Sequence, residues 1–223
     1  MLYDRHQTLD VAFGTNDFAG SCGYRGKRLF DVAFAICALP IVAPLIALLW
    51  ALVRLDGGPG FFGHQRVGRG GCVYTCWKLR TMVPDAEARL EQHIASDPAI
   101  AHEWFHLQKL RQDPRITAVG NVLRKTSLDE LPQIWNILVG EMSFIGPRPF
   151  TPDQLPLYVE VGGNAYFGLR PGISGPWQVF GRSTTRFIDR VHFDEGYACV
   201  CSFWGDIALI LGTVKVVLKM TGR

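Results

Sequence analysis

The chain has 223 residues, a length that suits one domain, or one domain with a membrane element. Hydrophobic residues make up 48% and charged residues 19%, against about 25% charged in an ordinary soluble domain, and mean hydropathy is +0.12, so part of the protein is expected to meet lipid. A net charge of +3 fits an anionic membrane surface or phosphorylated substrates, and is too small to argue for nucleic acid, which is excluded as a partner.

Residues 1–26 read as a flexible arm punctuated by Gly14, Gly20, Gly23 and Gly26. The arm is polar and no small-residue cleavage site follows the next apolar stretch, so no secretory signal is expected. Residues 27–55 begin with Lys27-Arg28 and continue into an uncharged run from Val32 to Val53. As one helix that run is roughly 33 Å long, enough for a bilayer core of about 30 Å. Pro40 and Pro44 lie inside it, each removing a backbone donor and crowding the preceding turn, so a break is expected. Arg25, Lys27 and Arg28 precede the run and Arg54, Arg66 and Arg69 follow it, whereas a spanning helix should show asymmetric flanks. These residues leave a single span and a broken, re-entrant helix both open, with the paired basic flanks favouring re-entry.

Residues 56–223 read as the globular domain. Asp56-Gly57-Gly58-Pro59-Gly60 is a turn cluster, and Phe61 to Arg80 alternates as a short hairpin with Gly68 to Cys72 as its turn. Pro84 to Leu110 reads as helix with a break at Asp97-Pro98, and Thr126 to Val139 as a second helix whose Ser127 and Glu130 form a capping box. Gly146-Pro147-Arg148-Pro149 is loop. A last helix runs from Phe203 to Met220, with Ile207, Ile210, Leu211, Val214, Val217 and Leu218 on the apolar side and Lys215 and Lys219 opposite; it either lies on a membrane surface or closes the core. The six cysteines (Cys22, Cys37, Cys72, Cys76, Cys199 and Cys201) follow no zinc-knuckle spacing and are expected to be reduced thiols, placing the catalytic face in the cytosol.

Two segments carry chemistry. His102-Glu103-Trp104-Phe105-His106 is a literal H-E-x-x-H, which on a helix presents two imidazoles to zinc with the glutamate as base. Its continuation, Leu107-Gln108-Lys109-Leu110-Arg111, lacks the third histidine of a metzincin; Glu130 is the nearest spare ligand, so a membrane zinc protease is the weaker alternative. The richer segment is Asp113 to Pro149. There the adjacent carboxylates Asp129 and Glu130 lie among Arg115, Arg124, Lys125 and Arg148, with Lys78 and Arg80 upstream. Carboxylates take a hard cation through oxygen and arginines take phosphate oxygens in bidentate fashion, so the set suits a magnesium-bound diphosphate; a solvated charge face has the same composition.

Lys27-Arg28-x-x-Asp31, Lys78-x-Arg80-x-Met82, Asp113-Pro114-Arg115, Leu123-Arg124-Lys125-Thr126-Ser127-Leu128-Asp129-Glu130-Leu131-Pro132-Gln133, Gly146-Pro147-Arg148-Pro149, Arg170-Pro171-Gly172-Ile173-Ser174-Gly175 and Trp177-Gln178-Val179 occur in that order. The ordered set resembles the bacterial sugar transferases, monotopic phosphoglycosyl transferases that start exopolysaccharide assembly on undecaprenyl phosphate, over nearly all of Lys27 to Arg223. The resemblance implies an α+β, mostly helical fold: a re-entrant membrane helix over 27–55, then over 56–223 a small cytoplasmic catalytic domain with amphipathic interfacial helices and a short β-hairpin. It implies that Asp129 is the nucleophile toward a UDP-sugar and that Glu130 holds Mg²⁺. Lys78, Arg80, Arg115, Arg124 and Arg148 would bind or steer the diphosphate, with Asp206 matching an acidic position of the family's last segment. Lys27, Arg28, Asp31, Pro40 and Pro44 would form the membrane anchor, the first two at lipid phosphates.

The sequence departs from that pattern in two places. The family's Ser-Pro pair at the membrane break is Ala43-Pro44 here, and in Phe62-Gly63-His64-Gln65-Arg66-Val67-Gly68 only Phe62, Arg66 and Gly68 match, so Gly63 and His64 inherit no role. Larger relatives carry additional N-terminal membrane helices, and this chain resembles the minimal catalytic form, nearest to galactose- or glucose-phosphate transferases of exopolysaccharide synthesis. The expected partners are a UDP-sugar, undecaprenyl phosphate and the bilayer at the cytoplasmic face of the inner membrane; a homodimer is left open. A catalytically silent membrane scaffold for polysaccharide assembly is the alternative from another class.

Overall fold

A computed structural model describes residues 23–107, 110, 113–181 and 186–218. The arm through Cys22, the side chain of His106, and the last helix beyond Leu218, with Lys219 and Met220, lie outside the described residues. The described part is mostly helical with two small sheets.

Helix α1 runs unbroken over Lys27–Val53, with Pro40 and Pro44 inside it. The hydrogen-bonded helix is therefore continuous through both prolines, which leaves them a bend rather than a gap to impose. Each proline removes only its own donor, the bonds to the Ile36 and Pro40 carbonyls, and the rest of the ladder carries the helix. One stripe of α1 packs on the globular domain along its whole length. Ala35, Ala38, Leu39, Val42 and Ile46 meet Tyr74, Cys76, Ile134, Ile137 and Met142, while Leu49 and Val53 meet Leu79 and Leu123. Leu29, Ile36, Ile41, Leu48 and Leu52 remain exposed on the other side. Among the described residues α1 is the one helix long and apolar enough to cross a membrane.

The hairpin forms as predicted, β1 (Phe61–Val67) antiparallel to β2 (Val73–Leu79), in register from Phe61 opposite Leu79 to Val67 opposite Val73. Two helices follow, α2 (Ala86–Ser96) and α3 (Pro98–Leu107), divided at Asp97-Pro98 as expected. Helix α4 (Ala118–Thr126) has no counterpart in the sequence reading. Its start is capped by Thr117, whose Oγ1 accepts from the Gly120 amide at 2.9 Å. Gly120 itself lies so close to the Thr81 carbonyl that a β-carbon would collide with it.

A 3₁₀ turn (Leu128–Glu130) leads into the short helix α5 (Gln133–Val139). The fold continues with β3 (Ser143–Ile145), α6 (Leu155–Glu160), α7 (Ala165–Gly168) and β4 (Gly172–Ser174), the two strands pairing in parallel. Helix α8 (Arg190–Val200) and α9 (Phe203–Leu218) complete it. One core gathers Phe150, Tyr158, Tyr166 and Phe167 around Val67.

Asn136, fully buried on α5, acts as a surrogate strand for the free edge of β2. Its Oδ1 accepts from the Trp77 amide at 3.1 Å, and its Nδ2 donates to the Thr75 carbonyl at 2.7 Å and to Glu141 Oε2 at 2.6 Å. Replacing it strands the Trp77 amide and the Thr75 carbonyl of β2, each costing about 1–3 kcal/mol. Asn136→Leu is accordingly expected to lower stability by about 3 kcal/mol, measured as the denaturant midpoint; an unchanged midpoint would remove the clamp from the account.

Candidate active site

Ser127 ends α4 in the left-handed conformation, φ 58°, and is the one non-glycine residue with positive φ among those described. The expected capping box does not form: Ser127 makes no side-chain cap bond, and the Glu130 amide bonds instead to the Ser127 carbonyl. The reversal at Ser127 throws the chain into the 3₁₀ turn. At three residues per turn, Leu128 and Leu131 share a side, and both pack against the Leu79–Leu123 core. Asp129 and Glu130 are thereby turned to the opposite side, into a cleft of about 1930 Å³. The same cleft is lined by Lys78, Arg115, Arg124, Arg148 and Trp177.

Lys78, on β2, places its Nζ 2.6 Å from Glu130 Oε1 and 3.9 Å from Asp129 Oδ2. Arg148 approaches the same Glu130 oxygen at 3.8 Å. Its loop is held from behind by the buried Arg190, whose guanidinium donates to the Arg148 carbonyl and lies 5.3 Å from the Trp177 ring. Arg124 donates to Thr81 Oγ1 at 2.8 Å and contributes positive charge at Asp129. Arg115 makes a two-pronged pair with Asp113, at 2.8 and 2.7 Å, and stacks on Trp104.

These surroundings drive the two carboxyls apart in acidity. Burial, joined by the neighbouring Glu130 charge and opposed by Lys78 and Arg124, pushes Asp129 above the usual carboxylate range. Burial would push Glu130 up as well, but Lys78 and Arg148 overcome it and hold the group down at about 2. A pair separated in this way offers one permanently anionic oxygen donor and one carboxylate whose charge is poorly compensated, and so more nucleophilic.

As Arg115 is engaged by Asp113, so two further expected residues, Arg80 and Asp206, are committed elsewhere. Arg80 reaches the cleft wall, yet its buried guanidinium donates to the carbonyls of Pro59, Met82 and Val53 and pairs with Asp56. It clamps the end of α1 to the domain and has little left for a diphosphate. Arg80→Met is therefore expected to cost about 3 kcal/mol of stability, seen in thermal melts, with the KM for substrate nearly unchanged; a raised KM at intact stability would reverse the assignment.

Asp206 lies outside the cleft lining and is fully buried. It accepts from Tyr197 at 2.7 Å and from Tyr24 at 3.2 Å, and pairs with Lys27 at 2.7 Å. Lys27 also pairs with Asp31, which accepts from Ser143 Oγ at 3.0 Å, and Arg28 donates to the Ile137 and Leu138 carbonyls at the end of α5. The Lys27-Arg28-Asp31 set thus fastens the start of α1 to the protein.

Other contributors were not singled out in the sequence. Asn136 carried one signal, a lone amide among Ile134, Trp135, Ile137 and Leu138. For Thr81 and Arg190, partners distant in sequence decide the role and no local pattern marks them; Trp177 stands in the Trp177-Gln178-Val179 motif, to which no role was given.

For magnesium the donor set fits, since that ion takes one or two carboxylates and fills its remaining positions with water and substrate phosphate oxygens. For zinc, the His106 side chain lies outside the described residues, and Glu130, the glutamate at a permissible distance for a third ligand, is paired with Lys78 and Arg148.

The arrangement suits a phosphorylated substrate, on a protein that carries one helix apolar enough for a bilayer. Comparison with known proteins gives that class its family: residues 23–220 match the bacterial sugar transferase family, and the chain belongs to it. It is 46% identical over 196 residues to the undecaprenyl-phosphate galactose phosphotransferase of Salmonella typhimurium, covering 88% of this chain and 41% of that protein. It is 44% identical over 197 residues to the UDP-galactose-lipid carrier transferase of Erwinia amylovora, again 88% of this chain and 41% of the relative. A third relative, the exopolysaccharide production protein ExoY of Sinorhizobium fredii, is 44% identical over 197 residues, with 88% of this chain and 87% of its own length covered. The chain thus spans about two fifths of the first two relatives.

Proposed function

We propose that the protein transfers a hexose 1-phosphate from a UDP-sugar to undecaprenyl phosphate through a phospho-aspartyl intermediate at Asp129, releasing UMP, as the first step of exopolysaccharide assembly. The observation that carries the reading is the split dyad: a buried Asp129 made a weaker acid by its burial beside a Glu130 held at about 2, facing Lys78, Arg124 and Arg148 across one cleft.

An Asp129 oxygen attacks the phosphorus bearing the sugar. The bond to the bridging oxygen breaks and that oxygen leaves on UMP. An oxygen of the lipid phosphate then attacks the same phosphorus, the bond to Asp129 breaks, and the carboxylate returns to its starting state. Two easier displacements replace a direct one between two anions. Arg148 and Arg124 receive the charge of the diphosphate, and Lys78 exchanges Glu130 for a phosphate oxygen as substrate enters. Mg²⁺, held by Glu130, would neutralise diphosphate charge when bound.

Helix α1 is taken to be the membrane element, entering and leaving at the cytoplasmic face of the inner membrane. Both of its ends are fastened to one domain, Arg28 at the end of α5 and Val53 at Arg80, which supports re-entry over crossing.

The test is to incubate the purified protein with Mg²⁺ and a UDP-sugar labelled in the sugar, omitting the lipid acceptor. Label bound to protein and dischargeable by undecaprenyl phosphate is the expected result. UMP release that strictly requires the acceptor, with no labelled protein, would replace the two-step scheme with direct transfer.

A further inference from the structure

A second cavity, of about 270 Å³, shares no lining residue with the Asp129 cleft. It lies at the start of α1 and its wall is cationic: Arg25, Lys27, Arg28, Arg69 and Arg170 line it, and Asp31 is its one carboxylate among the described residues. That carboxylate is already engaged by Lys27 at 3.3 Å, by Ser143 Oγ at 3.0 Å and by the Phe144 amide at 3.2 Å. Lys27 in turn is neutralised by Asp31 and Asp206.

The remaining guanidiniums have no such compensation. Arg28 donates to the Ile137 and Leu138 carbonyls, and Arg170 Nε donates to the Gly140 carbonyl at 2.9 Å. Carbonyls fix a guanidinium in place without cancelling its charge. Among the described residues Arg28, Arg69 and Arg170 form no ion pair. Burial, with the like charges of Arg69 and Arg28, pulls the Arg170 guanidinium below its ordinary range. Three cations around one cavity, two of them held, repel one another, and an anion that enters relieves all three at once. Guanidinium groups match phosphate oxygens in bidentate geometry, and the cavity has room for several water volumes of about 30 Å³ each. It also stands beside the first turn of the apolar helix α1, where a lipid headgroup phosphate would lie if that helix meets a bilayer.

We propose that this cavity binds a phosphate ester, held by Arg69 and Arg170 with Arg28 behind them, at a site separate from the Asp129 cleft. Lipid headgroups and free phosphate present the same chemistry, and the test separates them. The full chain in a neutral detergent is titrated with short-chain phosphatidylglycerol, with a phosphate-free glycolipid of equal chain length, and with inorganic phosphate; thermal melts and native mass spectrometry report binding.

The natural chain is expected to retain phosphatidylglycerol and not the glycolipid. Arg69 is exposed on the hairpin turn, so Arg69→Glu should keep the ligand-free melt while binding about tenfold or more weakly, and Arg69→Lys should recover most of the affinity. Stabilisation by inorganic phosphate, lost in Arg69→Glu, upholds the site with free phosphate as its ligand; its absence beside lipid binding assigns the headgroup. Arg69→Ala replaces Arg69→Glu if the acidic variant melts early. Equal binding by the natural chain and the Arg69 variants, or no binding by either, overturns the proposal.

Discussion

Asp129→Asn is expected to abolish sugar-phosphate transfer, by on the order of 10^4-fold, while leaving the protein as stable as the natural chain or more so. The two halves of that result have one cause. Asp129 is pushed above the usual carboxylate range, chiefly by burial, so the folded state binds its proton more tightly than the unfolded chain does. As pH rises from the ordinary aspartate range through the raised value, ionisation in place becomes a cost to folding, fully present above both. The amide removes that cost together with the nucleophile. Glu130→Gln should behave in the opposite way. Its folded value of about 2 lies below the unfolded one, so its contribution to stability is present above the ordinary glutamate range and is lost as pH falls toward 2. Losing the charged bond to Lys78, about 1.5–3 kcal/mol, should lower Tm by several degrees at about 2–4 °C per kcal/mol. Thermal melts at neutral pH, beside UMP release, check both variants. A destabilised but active Asp129→Asn would contradict the assignment at each point.

What the sequence made legible was local. The glycine-rich turn between Val67 and Val73, the helix break at Pro98 and the apolar period of α9 each lie within a few residues of their cause. The elements that misled or escaped are decided at a distance. Helix α4 is short and contains Val119, Gly120 and Val122, poor formers in isolation; Gly120 sits against Thr81, and the Thr117 amide bonds to the Thr81 carbonyl, across the fold. Ser127 and Glu130 have the spacing of a capping box, yet the packing of Leu128 and Leu131 imposes the 3₁₀ turn and leaves Ser127 as a left-handed terminator. The parallel pair β3–β4 joins residues on either side of α6 and α7. At the site, the dyad and Lys78, Arg124 and Arg148 were nominated from spacing and do share one cleft. Arg80 belongs to the Lys78 motif and Asp206 was matched to an acidic position of the last segment, but composition cannot tell a cation facing substrate from one buried under carbonyls, nor a free carboxylate from one closing a Lys27–Tyr197 network.

Lys78→Met is the second large effect, because that one ammonium serves both carboxyls. It stands 2.6 Å from Glu130 and 3.9 Å from Asp129, and among the charges that hold the pKa of these two groups down it contributes most to each. Without it Glu130 rises from about 2 and Asp129 rises further above its already elevated position. The acid limb of kcat/KM, which reports the dyad as a coupled unit, should therefore move to higher pH. Transfer at neutral pH should fall by about 10^2- to 10^3-fold, the usual cost of removing a preorganised charge from a site where anionic charge develops. Lys78→Arg keeps the charge on a bulkier head, so it should restore the position of the acid limb more fully than the rate. Because that split separates electrostatics from geometry, it tests the dyad itself: a Lys78→Met enzyme whose acid limb stays at the natural pH would mean that the titrating group is not Asp129.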